Sequence, residues 1–225
     1  SGDQSVVAEA VDAALLVRWG PDDLDERHRL ADALVDTTAH LDDTEARLSA
    51  HLWRLTTAWE CLDLVMVQRQ LRALELLAAE SRSIRVAFFA TSRRAMYETT
   101  VGTQSDAAEL IEATRKLGSQ LTDPDVVAVM HELQAMLAIR NGAIADLAAE
   151  AEAFAQFGRN EGIASVTAEA GVLWMHAGEV NRAEATARVA AGDGLDAIAH
   201  DVDFLLTVTC VGQVAAELGL GDLTA

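Results

Sequence analysis

The sequence predicts an all-α fold, and three observations predict it. Apolar residues recur at spacings of three and four almost throughout the 225 residues, the pattern of helices with one buried face. Only two prolines occur, Pro21 and Pro124, and aromatic residues make up 4 % of the chain; with abundant Ala and Leu, this composition favours helix and disfavours sheet. Glycines that close helical patterns recur at similar intervals: Gly102 to Gly142 is 40 residues, Gly142 to Gly178 is 36 and Gly178 to Gly219 is 41. A helix–turn–helix unit recurring every 36 to 41 residues marks an α-solenoid, whose pairs bury their outer faces on one another.

Helix pairs are expected at about 5–40, 44–80, 84–117, 124–157 and 163–191, followed by a terminal helix at about 200–218. Pro21 and Asp22-Asp23-Leu24-Asp25 stand where proline suits a first turn and carboxylates meet the positive end of a helix. Leu48, Leu52, Leu55, Trp59 and Leu62 form one stripe, and Leu64, Val67, Leu71, Leu74 and Leu77 form the next. Only Cys61-Leu62-Asp63 lies between the two patterns, so two antiparallel helices pack there. Val101-Gly102, Asn141-Gly142 and Ala177-Gly178 each end a helix, with glycine expected in the left-handed conformation. Asp201-Val202-Asp203 opens the last helix, whose partner is expected after Gly219-Leu220-Gly221-Asp222. The chain is therefore read as ending inside a repeat at Ala225, with Leu205, Val208 and Val211 exposed. Ser1-Gly2 reads as the remnant of an expression tag, and residues 1–225 as a single repeat domain from a longer protein.

Bulk properties narrow the function. The formal charge is 17 − 36 = −19, which repels phosphate backbones and disfavours direct nucleic-acid binding. No apolar run approaches the roughly 18 residues of a membrane span, and the N-terminus lacks a signal-peptide pattern, so a cytoplasmic protein is expected. Cys61 and Cys210 sit in apolar helical patterns without a CxxC neighbour and are expected as reduced core residues.

Catalytic and cofactor motifs find little support. Gly192-Asp193-Gly194-Leu195-Asp196-Ala197 matches GxGxxA, but a dinucleotide loop follows a strand, and here a helix precedes it; an inter-repeat turn is expected. The six histidines, His28, His40, His51, His131, His176 and His200, form no HxxxH pair, and GxSxG and GxxxxGK[ST] do not occur. No enzyme activity, metal or cofactor is expected.

One segment departs from the acidic background. Between Arg69 and Arg94 lie Arg69, Arg72, Arg82, Arg85, Arg93 and Arg94 against Glu75 and Glu80, a net +4. One reading pairs them with acidic neighbouring repeats. The other makes them an interface strip for an acidic partner or anionic ligand, because the guanidinium fork matches carboxylate and phosphate. Arg85, Arg93 and Arg94, with Tyr97, are the candidate binding residues.

The run Ala14-Leu15-Leu16-Val17-Arg18-Trp19-Gly20-Pro21-Asp22-Asp23-Leu24-Asp25-Glu26-Arg27, followed by Leu30-Ala31-Asp32, resembles the opening of the tetratricopeptide-like C-terminal region of large actinobacterial ATPase-containing regulators of the LuxR/MalT-like and SARP-like groups. Glu45-Ala46-Arg47-Leu48 through Leu52-Trp53-Arg54 and the turns at Gly102, Gly142 and Gly178 are similar too, so the resemblance spans nearly the whole chain. Leu62-Asp63 stands where the pattern usually has Gly-Asp. The resemblance implies a tetratricopeptide-like superhelical solenoid that binds a protein or small-molecule inducer for a multidomain transcriptional regulator. The rival expectation is a self-association domain that makes a homodimer or scaffold.

Overall fold

The computed structural model describes residues 2–122 and 124–223; Ser1 of the expected tag remnant and Ala225 at the expected mid-repeat end lie outside the described residues. The chain is all-helical, with no strand among the described residues. Among the described residues eleven α-helices run α1 (Gly2–Val17), α2 (Leu24–Thr38), α3 (Thr44–Glu60), α4 (Leu64–Ser81), α5 (Ile84–Val101), α6 (Gln104–Gly118), α7 (Pro124–Asn141), α8 (Ile144–Glu161), α9 (Ala164–His176), α10 (Val180–Ala191) and α11 (Phe204–Leu218). These fall where the apolar periodicity places them. The chain forms two compact units, Ser1–Met130 and His131–Ala225, divided within α7.

In the first unit each helix from α1 to α6 packs on the next in sequence. Side-chain caps make such abrupt turns tolerable, because each satisfies a backbone N–H that a helix start would leave unpaired. Asp43 accepts from the backbone N–H groups of Glu45 and Ala46, Asp63 from Met66, Ser83 from Val86 and Thr103 from Asp106. The core is built of large side chains: Leu48 and Leu55 of α3, Leu71 and Leu74 of α4, and Phe88 and Phe89 of α5. Arg27 of α2 is 2 % exposed and donates from Nη1 to Glu60 Oε2 at 2.5 Å and from Nη2 to the Gly20 carbonyl at 3.1 Å. It fixes α2 to the end of α3 and to the turn before α2. Arg54, also buried, pairs with Asp32.

The α3–α4 turn corrects three expectations. Leu62 does not continue the α3 stripe; it leaves the helix at φ +54° and is 76 % exposed. Leu64 opens α4 and is exposed as well. Cys61 is exposed and not a core residue, because the helix has already ended at Glu60 and its side chain projects from the cap.

The second unit is assembled around α9, which packs on α8, α10 and α11. Helix α9 buries small residues on several sides, including Ser165, Ala168, Ala170 and Gly171. Alanines of its neighbours, such as Ala151, Ala155, Ala183 and Ala187, complete a core in which backbones approach closely. Val211 is fully buried among Ala168, Ala190, Ala191 and Cys210, so α11 does not expose the whole flank expected of it; Leu205 remains exposed at its start. Cys210 is buried, as expected. Gly142, Gly178 and Gly219 adopt the expected left-handed φ of 62°, 80° and 71°. Gly102 does not: its φ of −96° and ψ of −156° are extended, because the chain runs straight into the Thr103 cap of α6. The GxGxxA segment forms a turn after α10, with a short 3-10 segment at Leu195–Ala197.

Gly158, inside α8, marks the tightest approach in this unit. A Cβ there would lie 2.8 Å from the Thr167 backbone nitrogen and 3.1 Å from the Ile163 carbonyl oxygen. In an exposed helix Gly→Ala stabilises by about 1 kcal/mol. Here Gly158→Ala is expected to destabilise by about 2 kcal/mol, the usual cost of overpacking, because backbone atoms cannot step aside. Urea denaturation of the two chains gives the sign directly.

Candidate functional site

The four residues singled out from sequence lie on α5, all half-buried, and they are distributed around the helix. Arg85 and Arg93 stand one turn to either side of Phe89, with guanidinium carbons 4.9 Å and 5.6 Å from its ring centre. Phe89 is itself buried, so two cations close over the edge of the core, and cation–π attraction holds them there. Arg85 also pairs with Glu45 of α3. Arg94 turns toward α4, where its Nε donates to Glu75 Oε1 at 2.8 Å, and its guanidinium carbon lies 5.7 Å from the Tyr97 ring centre. The Tyr97 hydroxyl accepts from Gln68 Nε2 at 2.7 Å, and its ring lies 6.1 Å from Trp59 of α3. Arg85 and Arg93 therefore form one group, and Arg94 and Tyr97 a second. Arg69, Arg72 and Arg82 are exposed on and just after α4. Glu80 accepts from Arg47 of α3 at 3.3 Å.

A cleft of about 250 Å³ adjoins this surface among α1, α2 and the start of α3. Ser5, Glu9, Asp12, Asp43, Glu45 and Ser49 line it, so its walls are acidic. Three of those carboxylates already have work: Asp12 accepts from Ser49 and from Trp53 Nε1 at 3.0 Å, Asp43 caps α3, and Glu45 meets Arg85. Sequence reasoning missed the cleft, since its walls come from three helices with no common motif.

The second unit holds a buried carboxyl cluster that sequence reasoning also missed. Glu169 of α9 is hydrogen-bonded to Glu132 of α7 and lies close to Asp203, just before α11. Ser165, one turn before Glu169, donates to Asp203 Oδ1 at 2.6 Å. Burial first, and then the charges of Glu132 and Asp203, push the Glu169 carboxyl up to about 8. Two carboxyl groups in contact cannot both ionise cheaply, so one keeps its proton and donates it to the other. Cys210 of α11 faces the same charges; burial and the carboxylates of Glu169 and Glu132 push its thiol up to about 12. A thiol so disfavoured as thiolate is chemically inert at neutral pH. No group of three or more His, Cys, Asp and Glu side chains among the described residues has the geometry to hold a metal ion.

Compared with protein-family models, curated proteins and solved structures, the chain matches none of them. What the fold defines is an all-helical protein of helices packed on their sequence neighbours, none of them, among the described residues, long and apolar enough to cross a membrane.

The carboxyl cluster sets a pH dependence of stability. Glu169 keeps a proton in the folded chain up to about pH 8, while its ordinary value is 4.5. Between those values the folded state binds a proton that the unfolded state has lost, so this group's contribution is complete at low pH and declines as pH rises toward 8. Glu169→Gln, a neutral donor at every pH, is expected to remove that decline. Relative to wild type, the variant should gain at least about 1.4 kcal/mol, one pKa unit's worth, between pH 5 and pH 8.5. Denaturant titrations at the two pH values measure the difference.

Proposed function

We propose that this chain is a recognition module that acts by binding and not by catalysis. In this reading it is a tetratricopeptide-like superhelical array, cytoplasmic, serving a multidomain transcriptional regulator. Its ligand is an acidic protein segment or an anionic inducer met by Arg85, Arg93, Arg94 and Tyr97 of α5.

The observation that carries the reading is the restraint on those arginines. Each is half-buried and held against an aromatic ring, Phe89 or Tyr97, and Arg85 and Arg94 are also aimed by Glu45 and Glu75. A cation that is already oriented loses less side-chain entropy on docking than a free one. Carboxylates of a partner would take the places of Glu45 and Glu75 on the same guanidinium groups. Such an exchange of one ion pair for another is nearly even in energy, so the strip confers specificity and orientation more than raw affinity. Docking on α5 would then bias an off/on equilibrium already present in the regulator. The resemblance of Trp19-Gly20-Pro21-Asp22-Asp23-Leu24-Asp25-Glu26-Arg27 to such regulators supports the same assignment.

The reading frame around these helices tests the regulator. An ATPase domain on one side, with a DNA-binding or cyclase domain in the same frame, is the expected result; helix pairs alone would sink it. The adjoining domain so found then serves as the probe for the strip. Titrated with that domain, the Arg93→Glu/Arg94→Glu chain is expected to bind at least tenfold more weakly than wild type, about 1.4 kcal/mol. Equal affinity would remove the α5 arginines from the proposal.

A further inference from the structure

The six arginines between Arg69 and Arg94 do not share one environment. Those of α5 are engaged: Arg85 with Glu45, Arg94 with Glu75, and both Arg85 and Arg93 with the Phe89 ring. Arg69, Arg72 and Arg82 are exposed, and among the described residues they have no hydrogen bond, ion pair or ring contact through their side chains. The two glutamates of α4 turn to other helices, Glu75 to Arg94 of α5 and Glu80 to Arg47 of α3. Acidic residues outnumber basic ones 36 to 17, so an arginine without a carboxylate is unexpected here. Other exposed arginines have one, Arg29 beside Glu26, Arg115 beside Glu112 and Arg188 beside Glu184. Arg82 follows the last turn of α4, where a cation meets the negative end of the helix. Arg69 and Arg72 stand mid-helix, and the helix dipole does not account for them.

These two arginines complete a stripe on the side of α4 turned away from the core. Val67, Leu71 and Leu74 are buried. At 3.6 residues per turn, Val65, Arg69, Arg72 and Leu76 lie opposite them, separated by four, three and four positions. Val65 is 77 % exposed and Leu76 64 %, and the exposed Leu62 and Leu64 enlarge the apolar end beside Val65. The stripe is cationic at its centre, apolar at both ends and about 16 Å long.

We propose that this face docks an acidic amphipathic helix of another protein, with two carboxylates on Arg69 and Arg72 and an apolar residue on each of Val65 and Leu76. Charge complementarity identifies the occupant. Both cations lack a counter-charge within the chain, and a guanidinium fork takes a carboxylate through two parallel hydrogen bonds. The order of side chains identifies its form. A helix laid along α4 repeats the same spacing with the same rise, so all four contacts close together. An anionic membrane requires instead a continuous apolar face with the cations at its margins. A phosphate backbone offers nothing to Val65 or Leu76.

A footprint about 16 Å long and roughly 10 Å wide buries less than the ~1,200 Å² of stable complexes, so the docking is weak and reversible. Repulsion from the rest of a chain of charge −19 is screened beyond about 8 Å at physiological salt, while the docked ion pairs lie well inside that distance. The face belongs to α4 and does not rest on the α5 reading.

The probe is a synthetic alanine-based helical peptide with leucine, glutamate, glutamate and leucine at the four-three-four spacing, titrated by calorimetry into the full chain. It is expected to bind at least tenfold more tightly than the same peptide with glutamine at both glutamate positions. Arg69→Glu/Arg72→Glu is expected to abolish that preference and to leave the thermal melt unchanged, since both side chains are exposed. Arg93→Glu/Arg94→Glu is expected to retain it. Equal affinity for the two peptides, or no binding at about 1 mM peptide, overturns the proposal. A preference lost through the α5 substitutions and kept through those of α4 overturns it too, and moves the peptide to α5. Sedimentation with vesicles of equal parts phosphatidylserine and phosphatidylcholine supplies the remaining arm. Vesicle binding that needs Arg69 and Arg72, without peptide binding, overturns the proposal in favour of a membrane.

Discussion

Helices of 12 to 18 residues are marginal alone in water, so every helix of this chain depends on a neighbour to cover its apolar face. The turns make the next helix in sequence that neighbour. Only Arg82 and Ser83 separate α4 from α5, and only Gly102 and Thr103 separate α5 from α6. A chain so short between two helices has one economical solution, which is to reverse and pack them side by side. Caps such as Asp63, Ser83 and Thr103 keep the reversal from stranding backbone N–H groups.

The two units meet that requirement with different materials. The first fills the space between helices with leucine and phenylalanine, and it admits buried cations where a carboxylate can be reached, as Arg27 reaches Glu60. Such a pair contributes less to net stability than its geometry suggests, since both charges were dehydrated to form it. What it does supply is a fixed position for α2 against the end of α3. The second unit sets many alanines beside its larger side chains Leu147, Phe154, Leu173 and Trp174, bringing α9 close to three helices at once. Close backbones leave little room for adjustment, which is why Gly158 resists even a methyl group.

The sites follow from the same packing. On α5, a helix flanked by α4 and α6, arginines occupy the margins of the buried face, where aliphatic stems and guanidinium planes cover Phe89 while the charges reach water or a carboxylate. In the second unit, α7, α9 and the start of α11 bring Glu132, Glu169 and Asp203 together in a place that water reaches poorly, and one carboxyl stays protonated.

The sequence by itself determined where the helices lie and where they stop. Apolar spacing, helix-closing glycines such as Gly142 and Gly178, and capping residues act within a few positions of one another, so local order encodes them. It also marked Arg85, Arg93, Arg94 and Tyr97 as unusual, because a basic run in a chain of charge −19 is visible without coordinates. Only the tertiary structure decided what each side of a helix meets. Val211 is buried while Val6 and Val17 are bare, although periodicity treats all three alike. Arg85 finds Glu45 forty residues away, Ser165 finds Asp203 at a separation of 38, and Cys61 falls outside the core that its helical pattern suggested. Burial and charge pairing are set by neighbours one or two helices distant, and a period of 3.6 residues carries no information about them.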